Sequence, residues 1–279
     1  MVPMSLRILA PPTSDTSEAP SLVLQCDARK YMLNVGVGTT RVSAELSASN
    51  MRVDHIFLTR VASETMGGVP GLLMTLADGG RESIDIHAPP NLLYALAATR
   101  LYARRDTMAL NAHEIEVREP HVCYQDEYVQ IHSVPLVPAQ HRSLYTDIAE
   151  KGPALDVKAQ LSSPKALRGS QAKAWYECIL RDAWTNSERT SPGPARSAHL
   201  LPPPPVPYAP DGPEPGRQAA VLAYICARQT PRGKLAAEQA MALGVPPGKS
   251  FARLARGETI TVSRPVAWEQ MDQDARQAW

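Results

Sequence analysis

After a short strand this sequence carries a glycine-rich loop of the kind that can gather a metal, yet two of its side chains lack the atoms to do it. The apolar run 56–59, Ile-Phe-Leu-Thr, reads as a short strand, and it ends in a loop carrying Gly67, Gly68 and Gly71. A loop of that length with those glycines suits a metal-binding turn at a strand end. Along that loop stand Arg60, Ala62, Glu64 and Thr65. A guanidinium and a methyl group have no lone pair to donate to a metal, and Glu64 alone makes no site. The expectation is a turn that holds no metal and has no catalytic residue of its own.

A second chemistry lies near the other end. Between positions 228 and 264 there are seven basic residues, Arg228, Arg232, Lys234, Lys249, Arg253, Arg256 and Arg264, against two acidic ones, Glu238 and Glu258. The whole chain is nearly neutral, with 29 basic and 28 acidic residues, so this is a local concentration of positive charge. Phosphate is its natural partner. Backbone amides near Gly248 could hold a phosphate while Lys249, Arg253 and Arg256 supply charge, which favours contacts to the shape of a folded RNA over base readout. An ordinary solvated basic face is the plainer alternative.

Two stretches resemble one family. Residues 34–41, Asn-Val-Gly-Val-Gly-Thr-Thr-Arg, followed by 53–59, Val-Asp-His-Ile-Phe-Leu-Thr, resemble the amino-terminal half of long-form ribonuclease Z, in the metallo-β-lactamase superfamily. That half has lost the zinc ligands that follow Leu-Thr in active members, and the resemblance puts the degenerate ligand positions at Arg60, Ala62, Glu64 and Thr65. The basic segment, with Gly233-Lys-Leu235, then 239–248 as Gln-Ala-Met-Ala-Leu-Gly-Val-Pro-Pro-Gly, then Gly257-Glu258, resembles the family's protruding tRNA-binding arm, with Arg232, Lys234, Gly248, Lys249, Arg253 and Arg256 as its RNA-facing positions. Lys249-Ser250 departs from the family's usual residues after the glycine. His141 is the nearest candidate for a further zinc ligand beyond the loop; with Glu64 it cannot complete a three-ligand site.

The resemblance implies an α/β fold: a metallo-β-lactamase-like αββα sandwich, incomplete in this chain, with a protruding helical arm. It implies a non-catalytic, substrate-binding half of a tRNA 3′-end processing endonuclease. Precursor tRNA and a catalytic half, in the same gene or a separate chain, are the partners, and zinc belongs to that other half. The alternative is a non-catalytic RNA-binding or scaffold protein on the same fold. By the same resemblance the compartment is the nucleus or the mitochondrion. Residues 1–20 show no amphipathic basic presequence, and no apolar run approaches the ~20 residues that cross a bilayer. Cys26, Cys123, Cys178 and Cys226 lie far apart without a metal or disulfide spacing, consistent with reduced thiols inside a cell.

The elements that must position these groups follow from patterning. Strands are expected at 5–10, 21–26 and 30–35 as a meander, then a helix over 39–48 capped by Thr39. Gly36 and Gly38 make a tight turn or phosphate cradle; without a third glycine they exclude a dinucleotide fingerprint. A helix is expected over 66–76 ending at Gly79-Gly80, and a strand at 84–88 stopped by Pro89-Pro90. A helix over 91–105 should turn Leu92, Leu93, Leu96 and Leu101 to the core, with Arg100, Arg104 and Arg105 at its solvated end. Alternation marks strands at 113–118 and 127–134. Ten of the 26 prolines fall between 192 and 215, so 183–216 reads as a linker, stiff around Pro202–Pro205. The organisation is then 1–182 as the first half of the degenerate domain, 183–216 linker, 217–228 scaffold strand, 229–258 arm, and 259–279 a strand and tail. Half the sandwich's partners being absent, the chain should leave an apolar face and an unpaired edge until a downstream half joins it.

Overall fold

Strict two-residue alternation in the central strands divides the larger unit into layers. The computed structural model describes residues 4–10, 19–27, 29–45, 53–139, 167, 169–184, 201–202, 220–229, 236–255 and 257–261. Two compact units emerge, Met1–Gln229 and Thr230–Trp279. In the first, β1 (Met4–Ala10), β2 (Ser21–Cys26) and β3 (Arg29–Leu33) form an antiparallel meander. Helix α1 (Thr39–Glu45) leads to β4 (His55–Phe57). Helices α2 (Ser63–Met66) and α3 (Val69–Asp78) lead to β5 (Ser83–Ala88), and α4 (Leu92–Ala98) with a 3-10 turn (Thr99–Leu101) leads to β6 (Ala109–Glu114). Each crossover returns the chain parallel to the strand it left, so β3 to β6 pair in parallel and the six strands lie in sequence order.

Side chains at alternate positions point to opposite faces. Met32, Ile56, Ile84 and Ile86 meet Leu72, Leu73 and Leu76 of α3 and Leu92, Leu93 and Leu96 of α4 in the main core. Helix α5 (Gly169–Ala183) adds Trp175, Tyr176, Ile179 and Leu180 to it. Its Lys173 ammonium lies 3.3 Å from the buried Glu114 carboxylate, whose other oxygen accepts from the Leu93 amide at 3.2 Å. The lysine contact is ionic, since that oxygen has no well-aligned hydrogen bond. One carboxylate thus joins β6, α4 and α5.

The opposite face faces a second, antiparallel sheet of β7 (His121–Gln125), β8 (Val129–Leu136) and β9 (Val221–Arg228). Leu24, Cys26, Tyr31 and Phe57 meet Val129 and Ile131 between the sheets. The described residues therefore build helix, sheet and sheet layers; a second helical layer is not among them. At the sheet edge β1 pairs only with β2 among the described residues, and its Leu6 and Ile8 are 61% and 60% exposed.

Several expectations need correction. Gly67 and Gly68 divide the helix expected over 66–76 into α2 and α3. The helix expected to reach Arg105 ends at Ala98 and tightens into a 3-10 turn, which rotates Leu101 out to 69% exposure and buries Arg100 to 5%. Arg100 there donates to the Ala97 carbonyl at 3.1 Å. Arg105 grips Asp78 of α3 through two hydrogen bonds of 2.7 and 3.0 Å rather than closing a helix. Strand β6 ends at Glu114, four residues short of the expected 118, and β8 is shifted to Val129–Leu136 by the Asp126 turn before it. Thr39 donates its hydroxyl to the Gly36 carbonyl at 2.7 Å instead of capping α1 through its oxygen. Residues 259–261 are irregular where a strand was expected, having no ladder partner among the described residues. Most of 183–216 and of the tail lies outside the described residues.

Truncating Ile86, wholly buried between β4 and β6, to alanine should cost roughly 2–5 kcal/mol in a denaturant titration. Leu101→Ala, on the surface, should stay within about 0.5 kcal/mol.

Candidate functional site

The loop after β4 is held by hydrogen bonds from both backbone and side chains of its neighbours. The Leu58 amide continues the ladder to the His87 carbonyl at 2.8 Å. Asn34, in the left-handed region at φ 57°, turns its side-chain oxygen to accept from the Thr59 amide and hydroxyl at 2.9 and 3.1 Å. From the second sheet, the Tyr224 hydroxyl donates to the Leu58 carbonyl and the Leu222 amide to the Thr59 carbonyl, both at 2.8 Å. The loop base is therefore tied to both sheets.

Beyond it, the four expected ligand positions satisfy one another or their own backbone. Arg60 Nη1 lies 3.9 Å from Glu64 Oε1. The buried Thr65 hydroxyl donates to the Arg60 carbonyl at 2.6 Å, and Ala62 precedes α2 in extended conformation. Zinc needs three or four convergent imidazole, thiolate or carboxylate donors. Here a cation stands beside the one carboxylate, and among the described residues no three His, Cys, Asp or Glu side chains gather as a ligand group. These residues do not fit zinc. His141 lies outside the described residues.

The glycines of the loop have a packing role instead. The Gly68 amide donates to the Val35 carbonyl at 2.9 Å, and the Val35 amide to the Thr65 carbonyl at 2.7 Å. A Cβ on Gly68 would fall 2.2 Å from the Gly36 carbonyl oxygen, and one on Gly67 would fall 2.7 Å from Val37 Cγ2. Loop and Gly36 turn approach too closely for side chains between them.

The second unit, by itself, contains α6 (Ala237–Ala242) and α7 (Lys249–Ala255). Gly248 precedes α7 at φ 100°, a conformation that side chains resist, so the expected corner glycine is required by backbone. Lys249 and Arg253 are exposed on α7, and Arg253 Nε donates to Glu258 Oε2 at 2.8 Å. Arg232, Lys234 and Arg256 lie outside the described residues.

A polar cluster that sequence reading missed lies between the two sheets. Parallel register sets Tyr31, His55 and Asp85 in one row and Leu33, Phe57, His87 and His113 in the next. Tyr124 of β7 meets His55 Nε2 at 2.9 Å and donates to Asp126 at 3.0 Å. Tyr31 also donates to Asp126, and the Tyr128 and Val129 amides reach its other oxygen at 2.8 Å. Burial would raise the Asp126 carboxyl, but these donors outweigh it and hold it below the usual range. His87 Nε2 lies 3.4 Å from His55 Nδ1, with His87 stacked between Phe57 and His113. Burial first, then His113 and His55, push His87 down to about 3. No local spacing announces this cluster.

The tRNase Z endonuclease family matches residues 7–68, from β1 to the close glycine of the loop. A mitochondrial tRNase Z of Arabidopsis thaliana, TRZ4, is 37% identical over 146 residues, covering 46% of this chain and 15% of the relative. Ribonuclease Z of Saccharomyces cerevisiae is 26% identical over 261 residues, covering 91% and 27%. Over these stretches the chain is similar to tRNase Z proteins. It spans well under a third of the length of these tRNase Z relatives. A long-form RNase Z from yeast superposes with a TM-score of 0.58 over 81% of this chain and 26% of that one at 20% identity, which shows the metallo-β-lactamase fold.

Gly68→Ala should cost roughly 1–3 kcal/mol or more, because backbone must move to admit the methyl. Gly71→Ala, with nothing within 4 Å of the added carbon inside α3, should be neutral or stabilise by about 0.5–1 kcal/mol. Chemical denaturation of the two variants checks the opposite signs.

Proposed function

We propose that this chain is the non-catalytic, substrate-holding half of a tRNA 3′-end processing endonuclease. The carrying observation is the loop after β4: its frame and glycines persist while Arg60 and Glu64 pair and Thr65 bonds to its own backbone. A side-chain set of that kind activates no water, so bond cleavage falls to a catalytic half that holds zinc, in the same polypeptide or a separate one. The sequence resemblance of the basic segment supports the second part of the reading, with Lys249 and Arg253 on α7, and Arg256, as phosphate contacts. Domain bounds follow the sequence reading: the degenerate half over 1–182, the scaffold strand within 217–228 and the arm over 229–258. Similarity to a mitochondrial tRNase Z of Arabidopsis supports a mitochondrial setting.

Arg253 already shares its charge with Glu258 across an exposed contact, which is worth about 0–1 kcal/mol and yields to a phosphate. Replacing Lys249, Arg253 and Arg256 by alanine should weaken precursor-tRNA binding across sequences and flatten its salt dependence by up to about 2 units of slope. Filter binding over a range of salt concentrations reads both. The chain alone should bind precursor tRNA without cleaving it, and cleavage after the tRNA body should require the catalytic half. Trailer removal by the purified chain alone would overturn the assignment; equal affinity and slope in the triple variant would reduce the arm to a solvated face, the scaffold reading.

A further inference from the structure

Of the three hydrophobic clusters among the described residues, the two that lie on the helix side of the six-stranded sheet and beside its imidazoles differ greatly in size. The helix-side core is aliphatic and aromatic, with Trp175 and Tyr176 at its centre, and contains no titratable imidazole. The inter-sheet core has six buried apolar residues and, beside them, the linked His87, His55, Tyr124 and Asp126. Charge placed between the sheets therefore strikes the smaller core.

Hydrogen-bond direction fixes where the protons are. Asp126, ionised, only accepts, so Tyr124 donates to it and must accept from His55 Nε2. His55 Nδ1 is then bare, and His87 Nε2 donates to it. Both rings are neutral, with one N–H each. A further proton on His55 Nδ1 would oppose two N–H groups unless His87 changes tautomer, and on His87 it would create a cation beside Phe57 and two imidazoles.

The surrounding charges do not rescue that cation. His87 faces His55 and His113, both of which disfavour its charging, and Asp85, which favours it. Asp85 is already taken by His113 Nε2 at 2.8 Å. His55 faces Asp85, Asp54 and Asp126 against Arg29, together with the Tyr31 and Tyr124 hydroxyls, and burial still lowers it. We propose that this imidazole pair is an acid release for the inter-sheet contact, so that protonation at His87 and His55 parts the β7–β9 sheet from the six-stranded sheet while the helix-side core stays closed.

The sign follows from linkage. A hydrated imidazole takes its proton near 6.5, whereas docked His87 refuses it until about 3. The docking free energy from this site is whole above pH 6.5 and falls as pH drops from there toward 3. With one proton linked, the open population rises roughly tenfold per pH unit.

Cysteines report the event in place. Cys26, Cys123 and Cys226 line the inter-sheet core, and Cys178 packs on the helix-side core. The full chain is labelled with 4,4′-dithiodipyridine, which reacts with thiols in acid, between pH 7 and 4, with rates normalised to the denatured chain. Cys26, Cys123 and Cys226 should become reactive together as pH falls, while Cys178 reactivity and tryptophan fluorescence stay constant. His87→Phe, which keeps a flat ring on Phe57 and takes no proton, and His87→Gln should each move the onset at least about one pH unit lower. Simultaneous exposure of all four thiols with loss of the tryptophan signal would mean global acid unfolding and overturn the proposal. So would protection of the three thiols down to pH 4, or an unchanged onset in a folded variant. Should neither variant fold, wild-type imidazole NMR decides: a His87 ring still neutral below the labelling midpoint also overturns it.

Discussion

The parallel register of β3, β4, β5 and β6 is the constraint on which the rest depends. Because Tyr31 pairs with His55 and His55 with Asp85, every odd position in these strands faces the second sheet and every even one faces the helices. A one-residue slip of β4 would send Ile56 into the inter-sheet space and His55 into an aliphatic core, where an imidazole finds no partner. The same register brings Leu58 beside the His87 carbonyl and so sets the point at which the loop departs.

The geometry of that loop is set by its neighbours. Its shape is fixed by Asn34 at one end, by Tyr224 and Leu222 reaching across from β9, and by the contact of Gly68 with Gly36. None of these depends on a metal. The shape of the loop therefore makes no demand for metal donors at Arg60, Ala62 and Thr65, and the Thr65 hydroxyl adds a tie to the Arg60 carbonyl. The close glycines are needed for packing whether or not the loop does chemistry.

What was legible in the sequence was local. Strands β2, β3, β5 and β9 announce themselves by apolar alternation, and the corner glycine of the second unit by its setting between two helical runs. Leu101 and Arg100 could not be placed, because a change from a 100° to a 120° step per residue at Thr99 exchanges inside for outside, and nothing in the run Thr-Arg-Leu marks that change. Helix α5 drew no prediction although its Trp175 and Tyr176 centre the main core. The histidine and tyrosine cluster draws on residues from 31 to 126, which only the sheet register brings together.

The account rests on one claim above the others: that the loop after β4 is a metallo-β-lactamase frame without a metal site. Elemental analysis of the purified chain after exposure to excess zinc and exhaustive dialysis tests it directly. The pairing of Arg60 with Glu64 and the absence of imidazole at positions 60, 62 and 65 predict no stoichiometric zinc. One or two tightly held zinc ions per chain, lost on replacing Glu64, would contradict it.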